Sequence, residues 1–252
     1  MSRFIQDPNL PGSRVALCVM SGQYPELCRR VEQLGPAVIR TSRDRSLPEP
    51  VAFHGDLQLC HLGGAQVVVE PGAEDLMETL GRMGFRCRAT CRPAENRYPG
   101  DVRLGMLLLN RWGFGLLEAA APEILTGLLL NDWELVFSRQ GYARCSVGVV
   151  DGEAAITADP TLAGLLEGKG IQCLRIDPGG ILLEGYDTGF LGGCCGLLAP
   201  GLLAFTGSLE RYREGEKIKD FLSRRGVRWV SLTDGPMVDI GGILPLMEEN
   251  TV

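Results

Sequence analysis

Five short polar turns, each opening onto an apolar strand, recur along this chain at a nearly fixed interval. They are His54-Gly55-Asp56-Leu57, Pro99-Gly100-Asp101-Val102, Gly141-Tyr142-Ala143-Arg144-Cys145-Ser146-Val147, Leu191-Gly192-Gly193-Cys194 and Met237-Val238-Asp239-Ile240. With Asp56, Asp101, Ser146, Gly193 and Asp239 as equivalent points, successive points lie 45, 45, 47 and 46 residues apart. A period of this length marks a repeat architecture, in which each unit is too small to bury its own apolar face and must stack on its neighbours.

The unit that starts at His54 shows the content most fully. Residues 57–62 alternate as a strand, Gly63-Gly64 turns the chain, and residues 66–69 return as a second strand. Pro71-Gly72 leads into a helix over residues 73–83, stopped by Gly84, and residues 85–89 extend again. The order strand, strand, helix, strand repeats over residues 102–137, 146–176 and 193–232, with Asp151-Gly152 as a hairpin signal and Asp159 as the cap of a helix that has Pro160 at its first position. The fifth unit has only residues 239–246. The return strand, helix and final strand that it lacks are the elements left over at 14–19, 24–34 and 37–39. The economical reading is one domain over residues 1–252: an α/β propeller of five pseudosymmetric strand-strand-helix-strand units, the fifth shared between the two ends, with no raw sheet edge exposed.

Composition narrows the function classes. A net charge of −6 and a pI near 5.1, with no cluster of Lys and Arg, exclude a surface that tracks nucleic-acid phosphates. Apolar runs such as 105–109 and 128–130 fall far short of the roughly 20 residues of a membrane span, and residues 1–7 lack a signal-peptide core, so a cytoplasmic location is expected. Nine cysteines is an odd count, scattered through strands and helices, which predicts reduced thiols. Cys18, Cys28, Cys60 and Cys173 sit among apolar neighbours as small hydrophobes. Cys87 and Cys91 lack a companion pair at zinc-ligand spacing, and no metal and no cofactor are expected.

Five strand-strand-helix-strand units of this size resemble the pentein fold, whose superfamily includes arginine deiminases, amidinotransferases, dimethylarginine hydrolases and a non-enzymatic ribosome anti-association factor. The phrases Tyr98-Pro99-Gly100-Asp101-Val102, Gln140-Gly141-Tyr142-Ala143-Arg144-Cys145-Ser146 and Gly185-Tyr186-Asp187-Thr188-Gly189-Phe190-Leu191-Gly192-Gly193 also resemble a family of uncharacterised bacterial proteins. The pentein resemblance implies a cysteine nucleophile, a histidine and carboxylates that hold a guanidinium at the axial mouth. The chain order departs from that pattern. In the pentein enzymes the cysteine lies near the carboxyl terminus and the histidine is central, whereas here His54 comes early and Cys145 is central.

The turn residues carry chemistry of their own. Asp56, Asp101 and Asp239 occupy one point in three units, so a closed ring brings three carboxylates to one mouth, suited to a guanidinium or amidine ligand or to a hard cation. Equally, an Asp in a tight turn accepts backbone hydrogen bonds. Cys145 stands beside Arg144, a cation expected to lower its thiol pKa, and His54 is the plausible acid/base partner. Cys194 and Cys195 on the fourth turn are rival thiols. Arg103 and Tyr142 are candidates to contact a ligand carboxylate or cap the mouth. The leading expectation is a cysteine-dependent enzyme, hydrolase or amidinotransferase in type, acting on a small guanidino or amidine compound. The alternatives are a non-catalytic binding protein or a metal-binding mouth. Neither the substrate nor the oligomeric state is specified by the sequence.

Overall fold

The structure is a computed structural model that describes residues 2–250. Strand β1 (Ser2–Phe4) precedes β2 (Val15–Ser21), α1 (Pro25–Gln33) and β3 (Ala37–Thr41). A one-turn helix, α2 (Gly55–Gln58), opens the next unit of β4 (Leu59–Gly63), β5 (Gln66–Val69), α3 (Glu74–Arg82) and β6 (Arg86–Ala89). There follow β7 (Leu107–Leu109), β8 (Trp112–Gly115), α4 (Pro122–Leu129) and β9 (Glu134–Phe137). A second one-turn helix, α5 (Ala143–Ser146), leads to β10 (Val147–Asp151), β11 (Ala154–Thr157), α6 (Pro160–Glu167) and β12 (Gln172–Arg175). After the short β13 (Ile181–Leu182) and a 3-10 turn at Gly192–Cys194 come β14 (Cys195–Ala199), β15 (Leu202–Phe205), α7 (Gly215–Arg224) and β16 (Arg228–Ser231). Strands β17 (Met237–Val238) and β18 (Leu244–Glu249) complete the order.

Four units build the same three-stranded sheet, in the orders β4-β5-β6, β7-β8-β9, β10-β11-β12 and β14-β15-β16. In each, the first two strands are antiparallel and the third runs parallel to the second, across the helix that separates them in sequence. The fifth sheet is assembled from both ends of the chain in the order β1-β18-β2-β3, with Leu244 opposite Val19 and Glu248 opposite Val15. Two features go beyond the repeat. Strand β1 adds an outer member to the fifth sheet, and β13 pairs with β17 in a small parallel sheet. Every sheet is an open row of strands, and none closes on itself among the described residues. The result is a mixed α/β fold.

Burial follows the local patterns. The first strand of a unit is apolar on both faces, as in β10, because both faces are covered. Third strands such as β9 are only half-buried. Helix α1 turns Leu27, Cys28 and Val31 inward and starts at Pro25, which needs no N–H partner there. Asp159 caps α6 by accepting from the N–H groups of Thr161 and Leu162, as the sequence predicts. The cores lie between units. Cys18 and Met20 of β2 pack with Leu198 and Ala204, Leu17 and Val19 pack with Leu59, Val67 and Leu80, and Cys60 and Val68 pack with Met106, Ile124 and Leu128. All nine cysteines are free thiols, with Cys18, Cys28 and Cys60 buried and Cys173 half-buried. Among the described residues, no helix is long and apolar enough to cross a membrane.

Candidate functional site

The polar turns all lie just ahead of the first strand of a unit, but two of them are single helical turns rather than open loops. His54 stands at the start of α2, where its carbonyl accepts from the Leu57 N–H at 3.2 Å, and Asp56 is within that helix. Cys145 lies within α5, where the Tyr142 carbonyl accepts from the Ser146 N–H at 2.9 Å. Asp239 directly follows β17, and its N–H donates to the Leu182 carbonyl at 2.9 Å, so the small β13–β17 sheet fixes its position.

These turns bring four functional side chains together. The Cys145 thiol donates to Asp239, with Sγ 3.3 Å from Oδ1 and 3.5 Å from Oδ2. His54 Nδ1 lies 3.8 Å from Asp239 Oδ1 and 4.0 Å from Asp56 Oδ1. One ligating atom from each of His54, Asp56 and Cys145 falls within 4.8 Å of the others. The cluster is out of solvent, since His54, Asp56 and Cys145 are each 2% exposed and Asp239 is 0% exposed. Asp239 is well served, accepting from the Phe190 N–H at 2.8 Å and the Gly241 N–H at 3.1 Å. Neither carboxylate oxygen of Asp56 has a partner.

Two glycines make this approach possible. A Cβ on Gly193 would sit 1.9 Å from Asp239 Oδ1 and 2.6 Å from Cys145 Sγ. A Cβ on Gly241, whose φ of +74° already favours glycine, would sit 2.6 Å from His54 Cβ and 2.8 Å from Asp56 Oδ1.

The electrostatics reverse one expectation. Burial pushes the Cys145 thiol well above its ordinary value, and the negative charges of Asp239 and Asp56 add to the effect. Arg144 does not activate it. Its guanidinium turns away, with Nε donating to Asn9 Oδ1 at 2.9 Å and Nη1 to the Gly192 carbonyl at 3.5 Å. Burial likewise raises the Asp56 carboxyl to about 6; the neighbouring His54 opposes this and Asp239 adds to it. The site therefore gathers two carboxylates, a protonated thiol and an imidazole out of solvent, with Arg144 acting on Asp56 from a distance.

The other candidates fall elsewhere. Asp101 is not part of the group of His54, Asp56 and Cys145, and the Tyr142 hydroxyl donates to its Oδ2. The Tyr142 ring lies 5.9 Å from Tyr98 and 6.0 Å from Phe190. Of the three repeated aspartates, Asp56 and Asp239 lie beside His54, while Asp101 has one oxygen bonded to Tyr142 and the other buried without a partner. Cys194 and Cys195 are buried beside the cluster, and the Cys194 thiol donates to the Phe190 carbonyl at 3.2 Å. Three contributors escaped sequence reasoning: Asn9, Phe190 and Gly241. The Gly241-Gly242 pair was the legible signal for the last, since adjacent glycines after an Asp mark a turn where backbones come close.

Arg103 acts on Glu70, whose carboxyl burial raises to about 7; Asp44 and Glu123 push it the same way, while the Ala94 N–H and Arg103 oppose them. An acid bound more tightly to its proton in the folded state loses stability as pH rises from about 4.5 to about 7, with no further loss above. Glu70→Gln keeps an acceptor for the Ala94 N–H, which now meets Glu70 Oε2 at 2.9 Å, and removes the charge. Melting curves from about pH 5 to about pH 8 should then diverge in favour of the variant. Parallel curves would contradict this.

A model of a family of unknown function, DUF6873, matches residues 19–244. Among curated proteins, none matches the chain by sequence. Solved structures do. The inosamine-phosphate amidinotransferase of Streptomyces griseus is similar with a TM-score of 0.62, 12% identity and 98% of both chains covered. A dimethylarginine dimethylaminohydrolase, seen as its adduct with S-methyl-L-thiocitrulline, is similar with a TM-score of 0.57 and 9% identity over 88% of this chain and 96% of that one. The agmatine deiminase of C. jejuni is similar with a TM-score of 0.53 and 7% identity over 92% of this chain and 91% of that one. These likenesses show the fold alone, a mixed α/β fold that this chain shares with those structures.

Proposed function

The chain belongs to the DUF6873 family, a family of unknown function, and from that premise we propose a thiol-dependent enzyme that modifies the guanidino or amidine group of a small molecule. The observation that carries this is the cluster itself: a thiol, an imidazole and two carboxylates drawn from three units, with Cys145 3.3 Å from Asp239 and both carboxylates within 4.0 Å of His54. The neighbours named above, an amidinotransferase, a dimethylaminohydrolase and a deiminase, support the substrate class. We take the five sheets to stand around a pseudo-fivefold axis with the cluster at its mouth. The cores that join the fifth sheet to the first and fourth units support this arrangement.

A guanidinium held by Asp56 and Asp239 supplies a positive charge, and so removes the repulsion that keeps the Cys145 proton in place. Sγ then attacks the guanidino carbon and the carbon–nitrogen bond to the leaving amine breaks. His54 passes the thiol proton to that amine. The resulting S-amidino intermediate loses its carbon to water in a hydrolase or to a second amine in a transferase, and the thiol is regenerated. The substrate would approach through the cleft of about 300 Å³ lined by Gln23, Tyr24, Glu49, Pro50 and Glu184. The Tyr24 hydroxyl there is already raised, first by burial and then by the charges of Asp239 and Glu184.

The test is a panel of guanidino and amidine compounds scored for turnover and, by intact-protein mass, for a covalent adduct. Wild-type protein should turn over at least one of them, and Cys145→Ser should lower that rate by about 10³-fold or more. The 2% exposure of Cys145 favours a second reading, ligand binding without chemistry. Thermal stabilisation by a guanidino compound that persists in Cys145→Ser, with no turnover by wild type, would select it.

A further inference from the structure

Apart from any reaction of the thiol, the same cluster has the composition and spacing of a site for a borderline-soft divalent ion. We propose that His54, Asp56 and Cys145 bind one zinc ion per chain, in a site distinct in kind from the oxygen-only ring that the repeated aspartates suggest. Zinc takes imidazole nitrogen, thiolate sulfur and carboxylate oxygen at about 2.0–2.3 Å in tetrahedral sites, which sets neighbouring ligand atoms about 3.3–3.7 Å apart. Here His54 Nδ1 and Asp56 Oδ1 are separated by 4.0 Å, and the three ligating atoms fit within a 4.8 Å span, so a contraction of at most about 1.5 Å among buried side chains closes the geometry. Asp239 Oδ1, 3.3 Å from the sulfur and 3.8 Å from the imidazole, is a further carboxylate whose charge the ion offsets.

A second, independent observation points to a ligand. Asp56 is 2% exposed, and neither of its oxygens has a hydrogen-bond partner, although Arg144 and the Cys145 thiol, itself bonded to Asp239, are near enough to be felt. That guanidinium is committed to Asn9 and to the Gly192 carbonyl instead. A buried carboxylate with no donor is costly, and a cation among Asp56, His54 and Cys145 removes the cost. Softness selects the metal, because a thiolate in the set disfavours calcium and magnesium and suits zinc. The zinc-bound protein has its thiol capped, so zinc and a guanidino ligand compete for one place.

The experiment uses the full chain dialysed against buffered zinc and analysed for bound metal, with cobalt substitution to give a thiolate-to-cobalt charge-transfer band. Wild type should retain one zinc per chain and show the band. Cys145→Ser should lose the band, and Asp56→Asn and His54→Ala should weaken binding by about 100-fold or more, beyond the 10–100-fold typical of outer-shell changes. Cys194→Ser and Asp101→Asn should bind as wild type does, and circular dichroism establishes that each variant is folded. No zinc retained by the wild type would overturn the proposal, as would undiminished retention in the folded Cys145→Ser and His54→Ala variants. Because bound metal is read directly, a catalytically silent protein that holds zinc at these residues sinks only the proposed reaction.

Discussion

A chain that lacks the residues after Asp239 should fail to fold, appearing in the insoluble fraction or without a cooperative melting transition. The deletion removes β18, which pairs with β2 on one side and β1 on the other. It also removes Ile240, Ile243, Leu244 and Leu246, all buried in the two cores that join the fifth sheet to its neighbours. Truncating a single buried aliphatic side chain costs about 2–5 kcal/mol, and a domain of this kind holds about 5–15 kcal/mol in total, so losing four such residues and a central strand exceeds the reserve. The exposed β2 edge would add a template for aggregation. Leu246→Ala serves as the graded comparison and should lower stability by about 3 kcal/mol in a still-folded protein. An unchanged melting temperature on truncation would refute the shared fifth sheet.

Gly193→Ala is expected to abolish the site while leaving a folded, weakened protein. The added methyl would lie 1.9 Å from Asp239 Oδ1 and 2.6 Å from Cys145 Sγ, so the carboxylate, the thiol or both must move. Little backbone escape exists, because the Gly193 carbonyl accepts from the N–H groups of Ile240 and Gly242, each at 2.9 Å. Overpacking of this kind costs about 1–3 kcal/mol, or roughly 2–12 °C in melting temperature for a chain of this length. Zinc retention and guanidino turnover should both vanish, since both need Cys145 beside the carboxylates. Gly81→Ala is the matched control: nothing lies within 4 Å of its added Cβ, it sits in α3, and it should stabilise by up to about 1 kcal/mol. Retention of zinc and turnover in Gly193→Ala, or equal effects of the two substitutions, would contradict this.

The repeat was legible because its signals are local. Period-2 alternation, Asp-Gly and Gly-Gly turns and capped amphipathic helices each need only a few neighbouring residues, and Asp159 with Pro160 is typical. The pairing of the two chain ends was legible by subtraction, from the elements the fifth unit lacked. Strand limits were less so. Residues 102–106 look apolar enough for a strand, yet only Leu107–Leu109 pair, because the Arg103 and Gly105 carbonyls are taken by the N–H groups of Ala121 and Arg144. The membership of the cluster was half legible. Equivalent turn positions nominated His54, Asp56, Cys145 and Asp239, but the same logic nominated Asp101, whose Oδ2 accepts from the Tyr142 phenol of another turn. The thiol's environment was not legible at all. The residue next to it in sequence, Arg144, points elsewhere, while the charges that act on it come from residues 94 positions later and 89 positions earlier in the chain.

The register that sets Leu244 beside Val19 has a consequence in time. Synthesis runs from the amino end at about 5–20 residues per second, so β2 waits tens of seconds for its antiparallel partner, longer than almost any elementary folding step. Throughout that interval a strand apolar from Val15 to Met20 can pair with β3 but has one side unfilled, and His54 and Cys145 have no Asp239 between them. Contacts this distant in sequence also slow refolding from denaturant, since the loop between them must close before it is rewarded. The last strand to arrive therefore sets both when the sheet is sealed and when the chemistry can begin.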